Sequence, residues 1–494
     1  MDYPTFFLFL CALLTFIYAV TTTGRRSSRL PPGPYPLPII GNLLKLGDKP
    51  HRSLATLSKQ YGPLMSLKLG SRTTVVVSSP EFAKEFFHTH DVAFSSRTVP
   101  YTARIVEHEK YSIAWLPTGD RWRRLRRITR EFLFSVQCLD GSELQRGQTV
   151  QELLDHVNTC CTNGKAVNIG AAVFTTTLNI LSNSIFSMDF AQYDTVSSQE
   201  FKEAVMALLE LVGKPNLADF FPILKPFDPQ GFLQQGNVYG HKLLAIIDKI
   251  INKRLESRLS SSTNNDVLDS LLNLVQKDES SFSCDDMRHL FFALFVAGTD
   301  TATGTIEWAM AELIRNPVKM EIVRSEIFKD MQNNTEHIEE KHIPQFPYLQ
   351  AVIKETLRLH PPAPFLVPHQ AIDNVEVKGF MVPKNAQIIC NVWAMGRDPS
   401  VWSNPEMFMP ERFLESNIDY KGQDYELIPF GAGRRICPGL SIAHRMMHIV
   451  LGSLIYKFDW KLEGNIRVED MDMEEKFGLT LPRKVPLMAI PIKL

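Results

Sequence analysis

One stretch of the 494-residue chain has residue types whose order could do chemistry, Phe430-Gly431-Ala432-Gly433-Arg434-Arg435-Ile436-Cys437-Pro438-Gly439. A single cysteine sits there with an arginine two residues before it and a largely apolar run, Leu440 to Ile455, after it. Ala443, Met446, Met447 and Val450 recur in that run at helical spacing, which places Cys437 just ahead of a helix start. Unpaired backbone N–H groups and the positive end of the helix dipole favour a thiolate at such a place. Gly433 and Gly439 have no β-carbon, so the backbone can turn sharply and approach a flat ligand. Arg435 can pair with a carboxylate on that ligand, and Phe430 can pack against its face. Together these meet the needs of an iron porphyrin held by one cysteine sulfur. The plain alternative is an ordinary buried cysteine in a glycine-rich turn.

Other segments must position that sulfur and its ligand. Ser283-Cys284-Asp285-Asp286 has the form that starts a helix, and Pro317 stops it after Arg315-Asn316. Its middle reads Ala297-Gly298-Thr299-Asp300-Thr301, poor helix formers with an acid beside a threonine. Leu290, Leu294, Ala297 and Thr301 share one face, where small residues at Ala297 and Gly298 open space beside the Thr301 hydroxyl. Helix packing through small residues explains Ala297 and Gly298 but not the acid. Trp122 and Arg126 also share a helix face, flanked by a stripe of Arg123, Arg127 and Arg130 that reads equally as a solvated basic surface. Glu355 and Arg358 lie three apart ahead of Pro361-Pro362.

The pattern F-x-x-G-x-R-x-C-x-G resembles the haem-thiolate signature of the cytochrome P-450 monooxygenases at every defining position, and the other three motifs follow that family in order and spacing from Pro31 to the end. The resemblance implies one mainly α-helical domain with a minor β region, holding haem b between the long helix and the cysteine loop. It implies Cys437 as axial iron ligand, pushing electron density that helps cleave the O–O bond. By the same likeness Thr301 hydrogen-bonds dioxygen, Asp300 with water delivers protons, and Trp122 and Arg126 hold haem carboxylates, with Ala297, Phe430, Gly433, Arg435 and Gly439 also around the haem. The outer arginines would then face an acidic electron-transfer partner. Glu355 and Arg358 resemble the family's E-x-x-R, with Arg412 as third member, a structural role. At His369 many relatives carry an arginine that holds a haem carboxylate. A histidine can donate to one too, but it is neutral near pH 7 unless shifted.

Composition narrows the class. Hydrophobic content of 44% and charge of 22% are those of an ordinary globular protein, and a net charge of −1 argues against nucleic acid as a partner. No linker divides the chain, and the polar patch Ser260 to Asp266 reads as a loop. The seven cysteines are odd in number and show no C-x-x-C pairing, as in a reduced compartment. Tyr3 to Gly24 has no charge, enough for a bilayer span of roughly 20 residues. Asp2 precedes it and Arg25, Arg26 and Arg29 follow, which argues for an uncleaved anchor over a signal peptide. The expected layout is a membrane anchor over 1–24, a basic and proline-rich hinge over 25–38, and the monooxygenase domain over 39–494. The expected site is the endoplasmic reticulum membrane, single-pass, with the catalytic domain cytosolic and the sequon Asn333-Asn334-Thr335 without a glycan.

Met65 to Leu69 and Thr73 to Ser78 read as strands, Ser79-Pro80 as a helix start, and Val99 to Leu116 as a long loop. Asn216 to Phe227 is apolar and broken by prolines, readable as a core-covering loop or as a lid dipping into the membrane surface. No G-x-G-x-x-G follows a strand, so two electrons would come from NADPH through a separate membrane-bound reductase, NADPH–cytochrome P-450 reductase. The candidate substrate contacts are Ile105, Val106, Leu294, Phe365, Leu366 and Leu479, with Ala297, and their few polar groups suit a hydrophobic substrate bearing one or two oxygens. The stretches Lys214 to Pro222 and Asp472 to Gly478 resemble plant terpenoid hydroxylases, particularly the geraniol 8-hydroxylase group. The likeness implies a monoterpenol such as geraniol first, and a diterpenoid or prenylated phenol next. A haem-thiolate isomerase or dehydratase would not need the intact Ala297–Thr301 motif, and a binding protein that has lost chemistry would need a broken cysteine loop.

Overall fold

Helices carry most of the chain in the computed structural model, which describes residues 3–23, 29–193, 195–259, 266–277, 281–331 and 337–494. Arg25, Arg26, the sequon at Asn333 and all of the Ser260 patch except Asp266 lie outside the described residues. The helices are α1 (Tyr3–Thr23), α2 (Pro50–Tyr61), α3 (Pro80–Lys84), α4 (Asp120–Ile128), α5 (Val136–Gly141), α6 (Glu143–Thr162), α7 (Ile169–Phe186) and α8 (Val196–Gly213). The second half adds α9 (Leu217–Phe220), α10 (Phe232–Leu259), α11 (Val267–Lys277), α12 (Cys284–Arg315), α13 (Pro317–Met331), α14 (Pro347–Leu359), α15 (Val392–Met395) and α16 (Leu440–Lys457).

The strands are short: β1 (Leu64–Leu69), β2 (Arg72–Val77), β3 (Ser96–Arg97), β4 (Val167–Asn168), β5 (His369–Gln370), β6 (Val375–Val377), β7 (Phe380–Val382), β8 (Gln387–Cys390), β9 (Phe458–Leu462) and β10 (Met488–Lys493). Five of them form one sheet in the order β1-β2-β8-β5-β3. The β1–β2 hairpin turns at Gly70, whose φ of 56° only glycine adopts cheaply. β2 runs parallel to β8, and β5 runs antiparallel to both β8 and β3.

α12 begins on a complete capping box. Ser283 accepts from the Asp286 backbone while Asp286 reaches back to the Ser283 N–H, and the helix ends before Pro317. Its 32 residues extend about 48 Å at 1.5 Å each, enough to cross the molecule. It packs along α7, α14 and α16, and most of its length is buried. Gly298 serves that packing: a Cβ there would stand 2.8 Å from Leu181 of α7, so this glycine seats a neighbouring helix instead of opening the cavity. α7 is itself long and apolar enough to cross a membrane by composition, but 83% of it is buried in the core.

Two expectations change. Val99 to Leu116 is not open loop, because Tyr101–Lys110 folds into short turns broken by left-handed Val106 and Glu107. The proline-rich segment is no free spacer. Pro32 O accepts the Ser66 N–H at 2.8 Å, Asn42 Nδ2 donates to Tyr35 O at 3.1 Å, and a Cβ on Gly33 would meet Ser66 O at 1.9 Å, so the segment is strapped onto β1.

Candidate active site

The cysteine loop is closed by its own backbone. Cys437 N–H donates to Phe430 O at 2.9 Å, and Gly431 N–H to Ile428 O at 2.9 Å. Gly433 has φ 64°, and a Cβ there would lie 2.2 Å from Phe87 O, so this glycine serves contact with the protein's own chain. Gly439 differs. A Cβ there would meet only Cys437 Sγ and Ile442, each at 3.9 Å, leaving the sulfur's surroundings open to a ligand. α16 starts directly after Gly439, as the spacing predicts. Burial nonetheless pushes the Cys437 thiol up, opposed by the Gly439 N–H and the Arg126 charge. The helix start alone does not make the thiolate. A bound metal deprotonates a coordinating thiol outright.

On α12 the open face is Ala297, Thr301 and Gly304. Ala297 is exposed in mid-helix, Thr301 is half-exposed, and nothing lies within 4 Å of a Cβ built on Gly304. Thr301 Oγ1 donates to Ala297 O at 2.8 Å. Asp300 turns away from that face. It is buried, and burial pushes its carboxyl up, opposed by the Thr480 hydroxyl and the Lys202 charge.

Three arginines converge at the other edge. Arg435 is buried and spends its donors on backbone carbonyls, Ser95 O at 2.8 Å, Ile113 O at 3.3 Å and Leu116 O at 2.5 Å, with its guanidinium 4.5 Å from the Trp122 ring. Arg126 donates to Ile436 O at 2.8 Å. Arg97, which sequence reasoning missed, is buried, donates to Val367 O, and leaves its Nε without a partner. Among the described residues none of the three pairs with an acid. Burial and mutual repulsion hold Arg435 down to about 10 and push Arg97 well below its ordinary value. Buried charges without partners cost several kcal/mol each. A ligand with carboxylates would supply the missing anions.

Trp122 and His369 are already committed. The indole N–H of Trp122 donates to Ile113 O at 3.1 Å. His369 Nδ1 donates to Phe94 O at 2.7 Å, and burial with Arg97 and Arg435 nearby keeps the ring neutral. In that tautomer Nε2 is an acceptor. Arg97, its partner across the β3–β5 ladder, is the charged member of that pair.

The substrate candidates scatter. Ile105 lies in a notch of α10, where a Cβ on Gly236 would stand 2.1 Å from its Cδ1. Val106 lines an outer cleft of about 440 Å³ with Tyr111 and His289. Leu366, left-handed at φ 54°, is buried in the small core around the sheet, its Cδ1 4.0 Å from a Cβ built on Gly431. Leu294 and Leu479 pack on the main core, Phe365 stacks edge-on with Phe477 at 6.0 Å, and Phe430 lies 5.4 Å from Tyr420. The compact set is therefore Cys437, the open α12 face and the arginines.

The Cytochrome P-450 family profile matches residues 31–488. Cytochrome P-450 76T24 of Catharanthus roseus is 52% identical to this chain, over 98% of it and 97% of that protein. The chain belongs to the cytochrome P-450 family. Ferruginol synthase of Isodon rubescens is 48% identical over 98% of each chain, and geraniol 8-hydroxylase of Catharanthus roseus 47% identical over the whole of both. As a cytochrome P-450 the protein takes haem with a cysteine-thiolate ligand and receives electrons from a redox partner. The donor set fits that cofactor: one half-buried cysteine sulfur, an open helix face, and guanidiniums lacking an anion. Behind it Glu355 accepts both Arg358 Nε at 2.7 Å and Arg412 Nε at 3.1 Å, all buried, and fixes the scaffold.

Proposed function

We propose that this cytochrome P-450 is a membrane-anchored monooxygenase that hydroxylates a hydrophobic terpenoid, first a monoterpenol such as geraniol. The observation that carries the substrate class is 47% identity along the whole chain to a geraniol 8-hydroxylase, with ferruginol synthase as near a relative. The apolar candidates Leu294, Phe365 and Leu479 support it.

The balance is R–H + O2 + 2e⁻ + 2H⁺ → R–OH + H2O. Haem bound at Cys437 supplies dioxygen activation and oxygen-atom transfer. Arg97, Arg126 and Arg435 would hold its carboxylates, with Trp122 against the Arg435 guanidinium. Thr301 presents a hydroxyl at the open face, and Asp300, next to it in the chain, would deliver protons with water. NADPH supplies the electrons through a reductase. The exposed Arg123 and Arg127 on the far side of α4, with Arg130 just beyond its end, offer that acidic partner a face, while Trp122 and Leu125 point inward.

α1 is the anchor in the endoplasmic reticulum membrane. Its 21 residues reach about 31 Å, the thickness of a bilayer core. Ile223 and Phe227 are 81% and 75% exposed, and Ile39 and Leu44 are exposed too. Phe220 O accepts the Ser71 N–H at 2.9 Å and Ile40 O accepts the Gly70 N–H at 3.2 Å, so both apolar patches flank one hairpin turn. This favours the membrane-dipping reading of 216–227 over the core-covering one.

Microsomes carrying the protein and a reductase, given NADPH and a panel from geraniol to larger terpenoids and prenylated phenols, test the proposal by mass spectrometry. The expected product is geraniol plus one oxygen atom, dependent on NADPH. Oxidation of only the larger compounds would overturn the monoterpenol, and a product formed without NADPH would overturn the monooxygenase reading.

A further inference from the structure

A turn near the C-terminus is closed as a small hairpin. Glu475 and Arg483 face each other in an antiparallel bridge, Lys476 N–H donates to Pro482 O at 2.9 Å, and Lys484 N–H donates to Glu474 O at 2.8 Å. Its tip carries Phe477 and Leu479. Two neighbours bring that hairpin to the site. Ala297, Thr301, Gly304 and Trp308 fall on one face of α12, and Trp308 Nε1 donates to Leu481 O at 3.0 Å. Phe365 meets Phe477 edge-on while its neighbour Leu366 reaches Gly431 of the cysteine loop, and Leu481 N–H donates to Pro362 O at 2.9 Å.

The base of the hairpin is held by a residue from the other end of the chain. Glu475 is buried, and its Oε1 accepts both His51 Nε2 at 2.6 Å and Arg52 Nε at 3.0 Å. His51, at the start of α2, is wholly buried. Its ring stacks on Phe477 at 5.5 Å and meets Trp393 edge-on at 5.0 Å, and the Trp393 backbone N–H donates to Pro364 O at 3.4 Å. His51 Nδ1 has no partner among the described residues, so the ring's polar contact is with Glu475 alone. One imidazole thus supports both segments that carry candidate substrate contacts, Phe365 on one and Leu479 on the other. A buried charged pair is often no more stabilising than apolar packing of the same volume.

We propose that His51 is a positioning residue for specificity: with Glu475 it clamps the C-terminal hairpin, holds Phe477, Leu479 and Phe365 in one arrangement beside the open α12 face, and so sets how large a substrate is accepted. The inference rests on reading Phe365 and Leu479 as substrate contacts. The clamp is separable from folding. In His51→Leu, Glu475 keeps Arg52, and the backbone carbonyl of residue 51 still accepts Asn391 Nδ2. His51→Gln keeps an N–H donor for the carboxylate.

The test uses full-length holoenzyme and three nitrogen ligands of the haem iron: imidazole, phenylimidazole and the much larger tritylimidazole, with Kd read from the optical shift. In His51→Leu the ratio of the Kd values for the two larger ligands should move several-fold toward tritylimidazole, while imidazole, which needs only the iron, binds as in wild type. His51→Gln should stay near wild type. Amide hydrogen exchange at Lys476 and Leu481 should quicken in His51→Leu alone. If that variant yields no haem protein, His51→Asn, too short to reach Glu475, carries the same comparison. A ratio that is unmoved, or moved toward phenylimidazole, would overturn the proposal even if exchange quickens. Weaker imidazole binding in the same variant would overturn it too, by making the clamp a general support of the haem site. These ligands bind without turnover, so a wild type that leaves geraniol unoxidised would overturn the monoterpenol and leave the clamp standing.

Discussion

Arg97 stands directly opposite His369 in the antiparallel β3–β5 pair, and the histidine is neutral while the arginine is charged, buried and short of a partner. If haem carboxylates lie there, the cation that meets them comes from Arg97, one strand over. Arg97→Leu should therefore weaken haem retention by about 1.5–3 kcal/mol, the worth of a hydrogen bond to a charged group, or roughly 10- to 150-fold in the rate of haem loss. His369→Arg made in that background should recover part of it. Haem transfer to an excess of an apo-haemoprotein measures both.

Glu355 is wholly buried, accepts two guanidiniums and also takes the Met409 N–H at 2.6 Å. Glu355→Gln leaves two buried cations facing a neutral amide, at a cost of about 3–5 kcal/mol. Urea denaturation should show that loss, or no folded haem protein at all.

The two glycines of the cysteine loop should separate in the laboratory. Gly433→Ala combines a left-handed backbone with a Cβ 2.2 Å from Phe87 O, and soluble haem-loaded protein should disappear. Gly439→Ala adds a methyl with ordinary contacts to the protein, and the chain should still fold. The yield and haem content of the two variants check this.

Burial raises the carboxyl of Asp300 and that of Glu307 above their unfolded values. Such groups bind protons more tightly in the folded state, so their ionisation costs stability as pH rises through the folded pKa. Asp300→Asn should therefore melt higher than wild type at about pH 8, with the gain shrinking toward about pH 5, nearer the ordinary carboxyl range. Thermal unfolding across that range measures it.

What could be read in advance was local in the chain. The capping box at Ser283, the stop at Pro317, the hairpin at Gly70 and the helix after Gly439 each depend on neighbours a few residues away. What escaped reading was long-range. Arg97 follows two serines with no motif around it, and its meaning comes from a strand partner near the other end of the chain. The sequence put Asp300 beside Thr301 but could not show that Asp300 is buried while Thr301 stays half-exposed. Ile105 and Leu366 are apolar candidates for the pocket, whereas the Gly236 notch and the Gly431 loop take them into packing.

Everything around the site turns on the Cys437 sulfur, and the carbon monoxide difference spectrum of the reduced protein tests its role. Wild type should show the red-shifted Soret band of a thiolate-bound haem, and Cys437→Ser should lose that band together with NADPH-dependent oxidation. The same band and the same oxidation in the serine variant would contradict it.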